Sequence, residues 1–305
     1  MTSRTARVNE DLEPPHSNDI PRERDYGYDL DDSEDRENAL RKIHTSGALS
    51  ISPELFEKIY LSPQNRVSGD LRGTFANPTP LAIGGFLIAL TPLSCDLMGW
   101  RGSGGNGAAS TGSFFFFGGL LMILGSIGEF ILGNTFPMVV FGSFGAFWLS
   151  YGATLVPGFN AYGAYVGSTT GDLAGLQDAG FQSSFAFFQV FMGLLCTMYM
   201  ILALRTNLIF FLIFLTLIPS FWTLAAAFWK LSEDPVGNAV LGNRLIYTSG
   251  ACSFVTCILG WYLFLSIMMA SLDFPFQLPV FDLSRYIKGA SDREKARKKK
   301  KLYDA

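Results

Sequence analysis

The chain has 305 residues, of which 49% are hydrophobic and only 16% charged, with 28 Phe and 32 Gly. Together with a mean hydropathy of +0.27, these values exclude an ordinary water-soluble domain and point to apolar residues that face lipid. The formal net charge of -3 describes neither end, because most acids and bases lie before Phe75 or after Asp282.

Residues 1–72 read as a disordered, acidic cytosolic head. The stretch "DYGYDLDDSEDREN" and scattered prolines cannot bury enough apolar surface to offset chain entropy. Within it, "SPELFEKIYLSP" (52–63) puts Leu55, Phe56 and Ile59 on one helical face. Two roles fit this stretch, a short interfacial docking helix or a transient helix in a flexible arm. No apolar stretch follows Met1, so the first spanning segment is expected to direct insertion itself.

Residues 73–276 carry six apolar runs, at 80–99, 114–132, 137–155, 183–204, 207–229 and 246–271. Each is near the roughly 20 residues needed to cross a bilayer core. The expected fold is therefore an all-α integral membrane protein with six transmembrane helices. The first connection, "RGSGGNGAASTG", reads as flexible, and the second, "GNTFP", as a tight turn. The third, 156–182, mixes Gly, aromatics, Asp172 and Asp178 and reads as a partly ordered loop at a pore entrance. Residues 277–305 form a basic tail whose Lys and Arg, next to the last run, place both termini in the cytosol. These lysines anchor the topology or bind anionic membrane lipid. No nucleic acid is expected among the partners.

Small residues recur at helical spacing: Gly118, Gly119, Gly125 and Gly128 in the second run, Gly142, Ala146 and Ser150 in the third, Ser249, Ser253 and Cys257 in the sixth. Close backbone approach drives helix association in lipid, so both tight internal packing and self-association are expected. The four cysteines lie in apolar runs and the two histidines in the head, so packing, not a metal or disulfide, is expected of them. No nucleotide loop, metal cluster or Ser/His pairing is visible; neither a cofactor nor enzyme chemistry is expected.

The first run opens on "ANPTPL", where Asn77 suits an N-cap and Pro78 the first helical position. One reading is a well-capped helix. The other adds that an amide and a positive helix end at a vestibule form a weak carboxylate site, made of Asn77, Pro78, Pro80 and Leu81. Here "NPTPLAIGGF", "EFILGNTFPMVVFGSFGAFWLS" and "RTNLIFFLIFLTL" resemble the motifs of the acetate uptake transporter (succinate/acetate permease) family. The long acidic head resembles that of its fungal members. Thr79 and Ala82 depart from the usual Ala and Gly, and Thr79 is expected to change vestibule polarity.

The resemblance implies a plasma-membrane, multi-pass transporter or channel for acetate and related short monocarboxylates; proton coupling is expected because a carboxylate must be neutralised to cross a dry girdle. It also implies a hexameric ring with a pore in each protomer. Motif matching places the apolar constriction at Phe86, Phe144 and Leu215, with Phe144 replacing a Tyr of bacterial relatives and so drying the girdle. Their depths agree: about 13 Å beyond Asn77, 10 Å beyond Pro137 and 15 Å beyond Arg205, the middle of a core of about 30 Å. Two roles fit Glu129 at the end of the second run. It is a buried proton or gating group, or a boundary carboxylate facing water or pairing with Arg205. Gln189, Thr197 and Tyr199 on the fourth run offer hydrogen bonds along the path. Two rival functions are an ammonia or ammonium pathway and a non-conducting acetate sensor.

Overall fold

A computed structural model describes residues 75–283, 286, 287 and 289. The acidic head with its 52–63 stretch, and most of the basic tail, lie outside the described residues. Six helices are long and apolar enough to cross a membrane: α1 (Thr79–Leu97), α2 (Gly105–Ile131), α3 (Thr135–Leu155), α4 (Ala179–Ala203), α5 (Leu208–Glu233) and α6 (Ala239–Ser271). The shortest, at 19 residues, is about 28 Å long. Among the described residues no strand forms beyond one isolated bridge between Asn207 and Asp282.

Side chains at the helix starts satisfy orphan N–H groups that lipid would leave unpaired. Asn77 Oδ1 accepts from Thr79 N at 2.9 Å, Asp178 Oδ1 from Gly180 N and Phe181 N at 2.8 and 3.1 Å, and Asn207 Oδ1 from Phe210 N at 2.8 Å. Helix α1 begins at Thr79, with Pro78 just outside and Pro80 in the first turn. The prolines thus fall where no intrahelical donor is needed.

Helix α2 is composite. It enters through 3₁₀ turns at Gly105–Ser110, widens to a π-helical stretch at Phe114–Leu121, and becomes regular α-helix over Met122–Ile131. The first connection is tied down, contrary to the flexible linker expected from its glycines: Tyr151 Oη donates to Asn106 O at 2.7 Å. Gly107 lies under it with φ of +83°, and a Cβ there would come within 2.7 Å of Leu93 and 2.8 Å of Phe114. The third connection is ordered through 3₁₀ turns at Pro157–Phe159, Gly163–Val166 and Leu173–Gln177. Its Asn160 side chain clips the loop, donating to Ser168 O at 2.8 Å and accepting from Gly171 N at 3.0 Å.

The glycines of α2 are used inside the bundle. A Cβ at Gly125 would lie 2.6 Å from that of Ala82 on α1, and one at Gly118 2.5 Å from Trp148 on α3. Helices α5 and α6 meet through hydroxyls, Ser220 to Ser253 at 2.6 Å and Thr216 to Thr256 at 2.7 Å. Aromatic rings join α3 to α5 and α4, with Phe147 centroids 5.4 Å from Phe221 and 5.6 Å from Phe188. After α6 the chain turns back: Tyr262 Oη donates to Pro279 O at 2.7 Å, Ser266 Oγ to Leu278 O at 3.0 Å, and Leu208 N to Phe281 O at 2.8 Å. The start of the segment expected to be a basic tail is therefore packed against α5 and α6.

Candidate functional site

Facing α1, α3 and α5 bring Phe86 and Phe144 together, edge to face, with ring centroids 6.0 Å apart. Two cavities of about 30 Å³ each lie beside this pair, and Phe86, Phe144 and Leu217 line both. Leu215 does not join them. It is 43% exposed, whereas Leu217 is 2% exposed. Two residues along an α-helix rotate a side chain by about 200°, so a slip of two in motif matching moves it to the opposite face. The α5 residue that lines both cavities with Phe86 and Phe144 is Leu217.

The first cavity lies toward the start of α1 and is lined by carbon: Ile83, Met122, Val140, Phe141, Phe210 and Leu263 are among its walls. One helical turn before Ile83, about 6 Å along the axis, Thr79 and Glu129 meet, both fully buried. Thr79 Oγ1 donates to Glu129 Oε1, Asn134 Nδ2 donates to Glu129 Oε2 at 2.7 Å, and Asn134 N to Glu129 O at 2.9 Å. The cluster pins the start of α1 to the α2–α3 turn. Burial rules out the water-facing position for Glu129, and Thr79 is engaged with that carboxylate instead of wetting a vestibule. Of the opening motif, Asn77, Pro78 and Pro80 are half-buried, and Leu81 is exposed.

The second cavity lies toward the other end of α1. Leu90, Leu93 and Leu97 of α1, Trp148 and Tyr151 of α3, Gln189 of α4, and Ser220, Ser249 and Ser253 of α5 and α6 line it. Gln189 is 1% exposed, and neither its Nε2 nor its Oε1 has a hydrogen-bond partner among the described residues. Trp148 Nε1 is likewise buried and unpaired there. The other two candidates on α4 do not reach the cavities: Thr197 Oγ1 donates to Gly193 O of its own helix at 2.9 Å, and Tyr199 Oη bonds Ser143 Oγ at 3.0 Å. Sequence reasoning missed Leu217, Trp148 and the serine cluster. Phe210, Phe214, Leu217 and Phe221 form a stripe of 4-3-4 spacing, but Phe211, Leu215, Ile218 and Trp222 repeat that spacing beside it, so spacing alone did not mark the inward face.

Residues 61–285 match the family model described as the GPR1/FUN34/yaaH family. The chain is 48% identical over 248 residues to Protein alcS of Aspergillus fumigatus, covering 81% of this chain and 89% of that one. It is 32% identical over 209 residues to Acetate transporter protein patA of Aspergillus clavatus, covering 68% and 79%. It is also 32% identical over 217 residues to Ammonia transport outward protein 2 of Saccharomyces cerevisiae, covering 65% and 70%. Among solved structures, the bacterial acetate channel SatP superposes with a TM-score of 0.52 at 21% identity, covering 68% of this chain and 99% of that one. At that identity the likeness speaks for the fold.

Proposed function

Because the chain belongs to the GPR1/FUN34/yaaH family, we propose that it conducts acetate and similarly small monocarboxylates across a membrane, along the axis of its six-helix bundle. The single observation that carries this reading is the pair of internal cavities meeting at Phe86, Phe144 and Leu217. An ionised carboxylate pressed between these apolar side chains loses its water without gaining a partner, which costs several kcal/mol or more. A neutral small acid passes without that penalty. The girdle therefore selects for size and for charge neutralisation, as narrow apolar constrictions do.

Proton coupling follows on this reading. Glu129, buried one turn from the first cavity, is the group placed to exchange a proton with an incoming acid, and Thr79 and Asn134 hold it there. The acidic head and basic tail are assigned to the cytosol, the membrane to the plasma membrane, and the assembly to a hexameric ring with one pore per protomer. These assignments rest on the positive-inside rule and on the family resemblance.

Neutral ammonia would also pass an apolar girdle, and the relative named for outward ammonia transport motivates that second reading. Reconstitution decides between them. Purified protein in liposomes should take up labelled acetate faster than empty liposomes, and accumulate it under an inward proton gradient until a protonophore is added. Strictly downhill flux would indicate a channel without coupling. Ammonia flux without acetate flux would replace the proposal with the second reading, and no flux of either would leave a sensor.

A further inference from the structure

We propose that Gln189 is the docking group of the second cavity and that it binds the protonated, neutral form of a small carboxylic acid. The inference rests on the transport reading above and specifies the chemical state of the cargo at a defined place.

A primary amide in an apolar helix is destabilising unless its donor and acceptor are both used. Gln189 uses neither, although it is 1% exposed. The hydroxyls in the cavity wall are committed elsewhere: Ser220 Oγ bonds Ser253 Oγ at 2.6 Å and donates to Ser249 O at 3.2 Å, and Tyr151 Oη donates to Asn106 O. The other glutamine of α4 is half-satisfied: Gln182 Nε2 donates to Leu176 O at 3.1 Å, while its Oε1 has no partner among the described residues. Gln189 is among the residues that line the cavity ending at the girdle.

A donor and an acceptor side by side match a ligand that offers an acceptor and a donor side by side. In a carboxylic acid the O–H donates to Gln189 Oε1 while Gln189 Nε2–H donates to the acid's carbonyl, closing a ring of two hydrogen bonds. Trp148 Nε1, unpaired in the wall of the same cavity, supplies a further donor for that carbonyl. A carboxylate has only acceptors, so it would set one oxygen against Oε1. No Lys or Arg lines the cavity to offset its desolvation. A volume of about 30 Å³ holds two or three water-sized groups, the scale of a two-carbon acid, with Leu93, Leu97 and Leu224 to receive its methyl.

Acetamide is the probe, because it has the size and the paired donor and acceptor of acetic acid and no charge at any working pH. With full-length protein in liposomes, acetamide should inhibit labelled acetate uptake with a constant that does not change between pH 5 and 8. The KM counted as total acetate should rise about tenfold per pH unit above the acid's pKa. Gln189→Met, an apolar near-isostere, should weaken acetamide inhibition at least tenfold and unfold at the same or a higher temperature, whereas a structural glutamine would make it unfold earlier. Acetamide should also raise the unfolding midpoint of the wild-type protein and not that of Gln189→Met, a readout that needs no flux.

Three results would overturn the inference: no acetamide competition in the wild type, a KM in total acetate that is constant with pH, or Gln189→Met with wild-type inhibition. Absence of acetate uptake in a wild-type protein that still shows the acetamide shift would instead overturn the transport reading and keep the site.

Discussion

Leu217→Ala and Leu215→Ala make a paired test of where the pore lies. Leu217 is 2% exposed and walls both cavities, while Leu215, two positions earlier, is 43% exposed. Truncating Leu217 removes three carbons whose neighbours lose dispersion contacts, and because lipid and detergent tails are as apolar as Leu no water-transfer contribution is added. A new void the size of either existing cavity, about 30 Å³, costs about 0.7 kcal/mol at about 24 cal/mol per Å³. Leu217→Ala should therefore show a modest lowering of the unfolding temperature. Leu215→Ala should fall within about 0.5 kcal/mol of wild type. The functional contrast is sharper, since the Leu217 truncation merges the cavities and admits a bulkier acid. The assay is uptake of labelled lactate relative to acetate in liposomes carrying equal protein, alongside thermal unfolding in detergent. A lactate-to-acetate ratio that rises in Leu215→Ala and stays at the wild-type value in Leu217→Ala would refute the argument.

Thr79→Ala removes a hydrogen bond to buried Glu129 and leaves that acceptor short of a partner, which should cost about 1–3 kcal/mol, read as a lower unfolding temperature. Glu129→Gln should slow initial acetate uptake under a proton gradient at equal protein without changing the final accumulation, because a neutral acid carries its own proton; a wild-type initial rate would remove Glu129 from the protonation step. Phe144→Tyr puts a hydroxyl into the girdle, with an expected stability loss of about 1–3 kcal/mol and a higher lactate-to-acetate uptake ratio. Gly118→Val drives a side chain into Trp148, whose Cγ already lies 2.5 Å from a Cβ built at Gly118, and should cost about 1–3 kcal/mol by overpacking, seen in thermal unfolding.

The number of spans was legible because each run is long, apolar and bounded by Gly, Pro or charge, and lipid permits few other solutions. Rotation about a helix axis was not. Helix α5 is apolar on nearly every side, "LIFFLIFLTLIPSFW", so an apolar period of 3.6 residues has little contrast by which to separate Leu215 from Leu217. At the start of α1 the amide of Asn77 does accept a backbone N–H, that of Thr79, although the helix begins one residue later than the motif suggested, with Pro78 at the N-cap. The first connection was misread for a related reason. Glycine signals freedom in sequence, yet Gly107 is needed because Leu93 and Phe114 leave no space for a Cβ. Pairings between residues far apart, such as Thr79 with Glu129 or Ser220 with Ser253, leave no mark on local sequence. Only the fold brings them together.

The two cavities make different demands on a passing acid, and the difference bears on where its proton must ride. No residue lining the first cavity carries a side-chain nitrogen or oxygen, so an acid leaving the Glu129 end meets only carbon until it passes the girdle and reaches Gln189. Protonating a carboxylate at pH 7 costs about 1.36 kcal/mol per unit above its pKa, or about 4 kcal/mol for a reference value near 4. Carrying it ionised through an apolar cavity costs several kcal/mol at the least, and up to tens in a dry interior. Protonation is the cheaper route along the proposed path, and it is cheapest before the first cavity is entered, at the end of α1 where Glu129 lies. The amide at Gln189 then meets an acid that already carries its proton. A site made of one donor and one acceptor suits that form, whereas a site made of cations would hold the anion and stop the passage.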